Sequence, residues 1–181
     1  MRRGVRLLVV FSALFSSACT TYSLEELRQV EPKGSEFNKA LTRHYLEFAE
    51  SEAKEYDWAD SMWFADMGLI SAYGGEVGPE ELSDWKIGAE FLPDMEKARA
   101  DLLAALTPAA IEAHPENAAA AQFYFDCWVE QQEEAWQQDD IDACRDAFND
   151  NLAGLAAPAP KAITEKETTT YVVFFDYGQS K

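Results

Sequence analysis

An all-α fold is predicted, with helical hairpins packed as a small bundle and a truncated C-terminal β-strand. Three observations predict it. Apolar residues recur at three- and four-residue spacing through residues 35–155, which places them on one face of successive helices. Pro32-Lys33-Gly34, Gly74-Gly75, Thr107-Pro108 and His114-Pro115 cut that stretch into helix-length pieces. Finally, Tyr171-Val172-Val173-Phe174-Phe175-Asp176-Tyr177 reads as a strand that ends almost as soon as it begins.

The elements follow in order. Ser23 with Glu26 makes a capping box for a short helix over Leu24–Val30, which Pro32-Lys33-Gly34 ends. Ser35 caps a long helix over 36–56, with Phe37, Leu41, Tyr45, Phe48, Ala49 and Ala53 inward and Glu47, Glu50, Glu52 and Lys54 toward water. His44 borders that stripe and reads as a boundary histidine rather than a base. Asp57, with Asp60 three residues on, caps a helix over 58–73 whose apolar surface is Trp58, Met62, Phe64, Ala65, Met67 and Leu69. This pair resembles a hairpin of tetratricopeptide type, although no second copy follows at that period.

Residues 74–92 read as irregular, with a turn of helix from Gly78-Pro79 to Leu82 and Trp85 as an anchoring aromatic. Pro93 suits the first position of a helix to Leu106 carrying Met95, Ala98, Leu102 and Leu106 on one face. Thr107-Pro108 caps a brief continuation. A long helix then starts at His114-Pro115, aligning Ala119, Phe123, Cys127 and Gln131, with Tyr124, Trp128 and Ala135 on the next line. Asp139 or Asp140 caps a last helix bearing Cys144, Phe148 and Leu152. Ala156-Ala157-Pro158-Ala159-Pro160 opens a linker, 156–170, ahead of the strand at 171–181.

The start of the chain reads as an address. Arg2, Arg3 and Arg6 precede the apolar run Leu7 to Phe15, and Ser16-Ser17-Ala18-Cys19 supplies a small-residue exit, so 1–18 is a signal peptide. That run is far short of the roughly 20 residues a membrane-spanning helix needs. Ser16 to Cys19 resembles a bacterial lipoprotein box, with Ser16 where leucine is usual. The resemblance implies an acylated Cys19, an approach segment 19–34, and attachment to outer-membrane lipid, since Thr20 is not the aspartate of retained lipoproteins. Ala18 equally suits ordinary cleavage, which would leave a plain periplasmic protein, and an uncleaved buried cysteine is the third reading.

Residues 19–181 carry 33 acidic and 12 basic side chains, a net charge of −21 with histidine neutral. Such a surface repels nucleic acid and anionic head groups; it suits a solvated exported domain or a basic partner. With Cys19 assigned to lipid, Cys127 and Cys144 remain as an even pair in an oxidising compartment, which favours one disulfide. The midpoint between them falls near Ala135-Trp136, whereas the stronger turn signal is Gln138-Asp139-Asp140. Either the turn is early or the two helices are staggered.

No catalytic constellation stands out, and no cofactor or metal is expected. The two histidines are 70 residues apart, and Gly74-Gly75-Glu76-Val77-Gly78 follows no strand that would make it a phosphate loop. Asp139, Asp140 and Asp142 suit a polar turn and helix start, and Glu130, Glu133 and Glu134 suit a solvated helix face.

Val173-Phe174-Phe175-Asp176-Tyr177, followed by Gln179-Ser180-Lys181, resembles the first strand of the OmpA-like peptidoglycan-binding domain. Phe37 to Leu46, Tyr56 to Asp60, Phe64 to Leu69, Phe125 to Glu133 and Ile141 to Arg145 are similar to the helical N-terminal domain of alphaproteobacterial OmpA-family lipoproteins. The resemblance implies a periplasm-facing outer-membrane lipoprotein whose complete form links that membrane to peptidoglycan. No residue of this chain matches the family's wall-gripping positions, so neither Asp176 nor Lys181 is given that role. The alternative is a periplasmic helical module, 35–155, that binds another envelope protein without touching peptidoglycan.

Overall fold

The computed structural model describes residues 22–156. The signal segment, Cys19, nearly all of the linker and the strand at 171–181 lie outside the described residues. Within them the chain forms seven α-helices and one 3-10 turn: α1 (Tyr22–Gln29), α2 (Glu36–Glu55), α3 (Trp58–Ala72), the turn Leu82–Asp84, α4 (Leu92–Ala105), α5 (Pro108–Ala113), α6 (Pro115–Glu134) and α7 (Gln138–Gly154). No strand occurs among the described residues, which corrects the expected class: the described body is all-α.

Two antiparallel hairpins, α2–α3 and α6–α7, pack through α2 against α6, while α1 covers α3 and α4 and α5 lie on α6. Tyr45, Phe64, Phe125, Phe148, Leu27, Leu41, Met95 and Leu102 form the fully buried centre. Gly68 sets the approach of α1, since a Cβ there would stand 2.6 Å from Leu27 Cδ2. Because α6 is enclosed by α2, α4, α5 and α7, its buried residues run almost unbroken from Ala118 to Gln132.

The helix starts follow local chemistry in most places. Ser35 Oγ accepts from the Asn38 N–H, and the Asn38 side chain answers the Ser35 N–H, so the box closes reciprocally. Asp57 accepts from the N–H groups of Ala59 and Asp60, and Thr107 accepts from that of Ala110. Each such cap contributes about 1 kcal/mol.

Four local expectations need correction. Helix α1 already begins at Tyr22, so Ser23 lies inside it rather than capping it. The turn of helix expected from Gly78 to Leu82 forms later, at Leu82–Asp84. Trp58 is 46% exposed: it opens α3 just past the end of α2 at Glu55, with the exposed Tyr56 ring 6.4 Å from its own. Neither Asp139 nor Asp140 caps α7; both sit in its first turn after an uncapped Gln137. The chain reverses early, at Ala135, which takes a left-handed φ of 56°. That early turn sets Cys127 and Cys144 opposite each other, with Cα atoms 5.8 Å apart, and they are joined as a disulfide.

Candidate functional site

The irregular segment between α3 and α4 is held by a buried carboxyl group. Asp126, fully buried on α6, accepts from the Tyr45 hydroxyl at 2.7 Å and from the Glu80 backbone N–H at 2.7 Å. Gln122 Nε2 donates to the Val77 carbonyl at 2.8 Å, and Arg99 Nε donates to the Glu80 carbonyl at 2.7 Å. Burial pushes the Asp126 carboxyl well above its ordinary range, against the pull of the Glu80 N–H and the Tyr45 hydroxyl. Burial and the neighbouring Asp126 likewise raise the Tyr45 phenol.

Glu80 extends this framework to the surface. Its carboxylate accepts from Trp63 Nε1 at 2.6 Å and from Trp85 Nε1 at 2.9 Å, fixing both indole planes. Trp85 also stacks on Phe64, centroids 6.3 Å apart. The two indoles form walls of an open groove of about 380 Å³, also lined by Ala59, Asp60, Asp84, Lys86 and Glu133. Three acids and one lysine line it, so its field favours a cation.

The groove lies beside the end of the bundle where both hairpins turn. Glu55 at the end of α2 accepts from Gln137 Nε2 at 3.3 Å, joining the two turns. Each turn uses a left-handed residue other than glycine, Tyr56 at φ 68° and Ala135 at φ 56°, a conformation that costs about 1–2 kcal/mol. Tyr56, Trp58 and Trp136 stand exposed there, the first two ring to ring at 6.4 Å. Glu55, Asp57, Asp60, Glu133 and Glu134 surround them on the same elements. Burial, then Asp57 and Glu133, lift Asp60 to about 6.

Beneath this surface lie two acids that helical periodicity assigns to water. Glu52 on α2 is 3% exposed and Glu130 on α6 is 1% exposed. Burial, then the negative charge of Glu52, Glu134 and Asp60, pushes Glu130 up to about 9; burial, then Glu55 and Glu134, pushes Glu52 up to about 8. The folded state therefore holds protons that the unfolded chain, titrating near 4.5, releases. Such a raised carboxyl contributes stability that is full below about pH 4.5 and falls as pH rises toward 8–9. Urea unfolding is expected to show a lower stability at about pH 8 than at about pH 5. Glu130→Gln, which keeps the shape and removes the charge, should raise stability at the higher pH by about 1–3 kcal/mol. A loss there would contradict the account.

The remaining predicted residues fall elsewhere. His44 is half-buried, stacked on Phe123 at a centroid distance of 4.9 Å, and burial lowers its pKa. Asp142 pairs with Arg145 at 2.6 Å. A second cleft, between α4 and α7, exposes Lys97 and Arg145, both already paired with acids. Among the described residues, no group of His, Cys, Asp and Glu could hold a metal ion. Sequence reasoning missed Asp126, Glu80, Glu52 and Glu130. The available signal was their placement on or against α6, the helix whose small residues Ala118 to Ala121 let neighbours close in on every side.

No family model matches the chain. No curated protein matches it, and neither does a solved structure. The resemblance to OmpA-family lipoproteins is thereby corrected. It gains no match over the helical stretches that suggested it, and its strand at 171–181 lies outside the described, strand-free body. The implied bridge to peptidoglycan is withdrawn with it. The outer-membrane lipid partner is withdrawn with that family reading, and Cys19, through which it was implied, lies outside the described residues; separately, no described helix is long and apolar enough to cross a membrane.

Proposed function

We propose that this chain is an exported, periplasm-facing helical module that binds another protein, and that its acidic, aromatic end receives a basic segment of that partner. One observation carries the reading: fixed or exposed aromatic rings, Tyr56, Trp58, Trp63, Trp85 and Trp136, stand among Asp57, Asp60, Glu133 and Glu134. A guanidinium can stack on an indole face while its edge meets a carboxylate, a pairing that contributes about 0.5–2 kcal/mol per aromatic contact. The partner chemistry is therefore arginine-rich rather than acidic or apolar.

A hexa-arginine peptide tests this on the oxidised, exported protein, whose mature amino terminus is read by mass in the same preparation. Indole N–H signals report position, since Trp58, Trp63, Trp85 and Trp136 belong to the site and Trp128 lies beneath the other cleft. The four site signals should shift at about 0.15 M salt, where attraction beyond about 8 Å is screened. Asp60→Asn with Glu133→Gln should weaken binding by about tenfold, roughly 1.4 kcal/mol. Equal shifts at all five indoles would mean diffuse attraction to an acidic surface and would sink the assignment.

A further inference from the structure

We propose that the buried Glu52–Glu130 pair couples capture of a cationic segment at this end to the release of a proton, an inference that rests on the binding reading above. Both side chains are buried, Glu52 on α2 and Glu130 on α6, two helices that pack against each other. Glu130 Oε2 accepts from Gln131 Nε2 at 2.8 Å, whereas Glu130 Oε1 is buried with no hydrogen-bond partner. An ionised carboxylate left in that state is costly, so the oxygen stays part of a neutral carboxyl group.

The surroundings reinforce this. Glu55 acts on the pair from α2, Asp57 and Asp60 from the start of α3, and Glu134 from α6. Glu133 acts on Asp60 beside them. From α7 the neighbour is neutral Gln137, bound to Glu55. Glu55, Asp57, Asp60 and Glu134 are all negative and oppose ionisation of the buried pair, while the cation Lys86 lines the groove beside Asp60 and Glu133.

An arriving guanidinium or ammonium reverses that balance. Set against Asp60, Glu133 and Glu134, it adds positive charge to the surroundings of the pair and favours the carboxylate. One carboxyl O–H bond breaks, its proton passes to solvent, and no other bond changes. Since the two acids oppose each other, the proton belongs to the pair rather than to either residue. Linkage is reciprocal: if the cation expels the proton, removing the proton strengthens binding of the cation. Affinity therefore rises with pH, by up to about tenfold per unit for one proton released. The window lies between about pH 7 and 9, where Asp60, titrating at about 6, is already ionised.

Calorimetry of hexa-arginine binding to the full oxidised chain, in two buffers of different ionisation heat, tests the coupling. Unequal heats and an affinity gain of about threefold to tenfold between about pH 7 and 8.5 are expected. Glu130→Gln and Glu52→Gln should each reduce both effects. Carboxyl carbon shifts of the unaltered protein provide a check independent of the variants: Glu52 or Glu130 should remain protonated at about pH 7. Binding with equal heats and no pH dependence would overturn the coupling alone. No localised binding at any pH would overturn the binding reading and the coupling with it, and carboxylate signals from both residues at about pH 6 would also refute the coupling.

Discussion

Replacing Asp126 by alanine is expected to destabilise the protein by about 2–5 kcal/mol, because it strands two buried donors at once. The Tyr45 hydroxyl loses its 2.7 Å acceptor, and so does the Glu80 N–H, both in the interior. Asp126→Asn should cost far less. Its oxygen can still accept from the Glu80 N–H, so only the Tyr45 O–H is left without its acceptor. The alanine variant should further disturb the candidate groove, since Asp126 holds Glu80, and Glu80 holds Trp63 and Trp85. Urea unfolding reads the first effect and near-ultraviolet circular dichroism the second. An alanine variant as stable as the parent, with unchanged aromatic signals, would remove Asp126 from the centre of this framework.

The second large effect concerns the bond between Cys127 and Cys144, which are 17 residues apart in sequence. Closing a loop of that size restricts the unfolded chain by roughly 3 kcal/mol in the entropic description. The bridge also joins the central helix α6 to α7 near the Phe125, Trp128 and Phe148 cluster. The paired substitution Cys127→Ser with Cys144→Ser should therefore lower unfolding free energy by about 2–4 kcal/mol. Dithiothreitol should produce a similar loss in the unaltered protein and none in the double variant. Reductant sensitivity that persists in the double variant would show that some other bond carries the effect.

The helical body was legible in the sequence because its signals are local. Ser35, Asp57 and Thr107 cap the helices that follow them, and the stripes Phe37 to Phe48 and Met95 to Leu102 place the correct faces inward. Signals of equal local strength misled where a neighbour was missing or unforeseen. Asp139 and Asp140 looked like caps, but the left-handed turn at Ala135 started α7 ahead of them. Trp58 looked like core, but it stands exposed just past the end of α2. The strand-like segment prompted a family reading that no comparison supports.

The candidate site was the less legible part, for a physical reason. Periodicity assumes that each helix keeps one face in water. That holds for α7 and for α2 apart from Glu52, and it fails for α6, which has helices on nearly every side. Glu130 and Asp126 are consequently buried despite spacing that assigns Glu130 to solvent, and Glu52 is buried on α2, which packs against α6.

By itself the amino-acid sequence determined the number and order of the main helices, the strongly negative charge and the presence of an even cysteine pair, all properties of composition and short-range spacing. Only the tertiary structure decided which acids are buried and held neutral, and which aromatics become core and which stand at the surface. Those outcomes depend on the water each side chain loses to partners distant in the chain, a quantity that no local pattern contains.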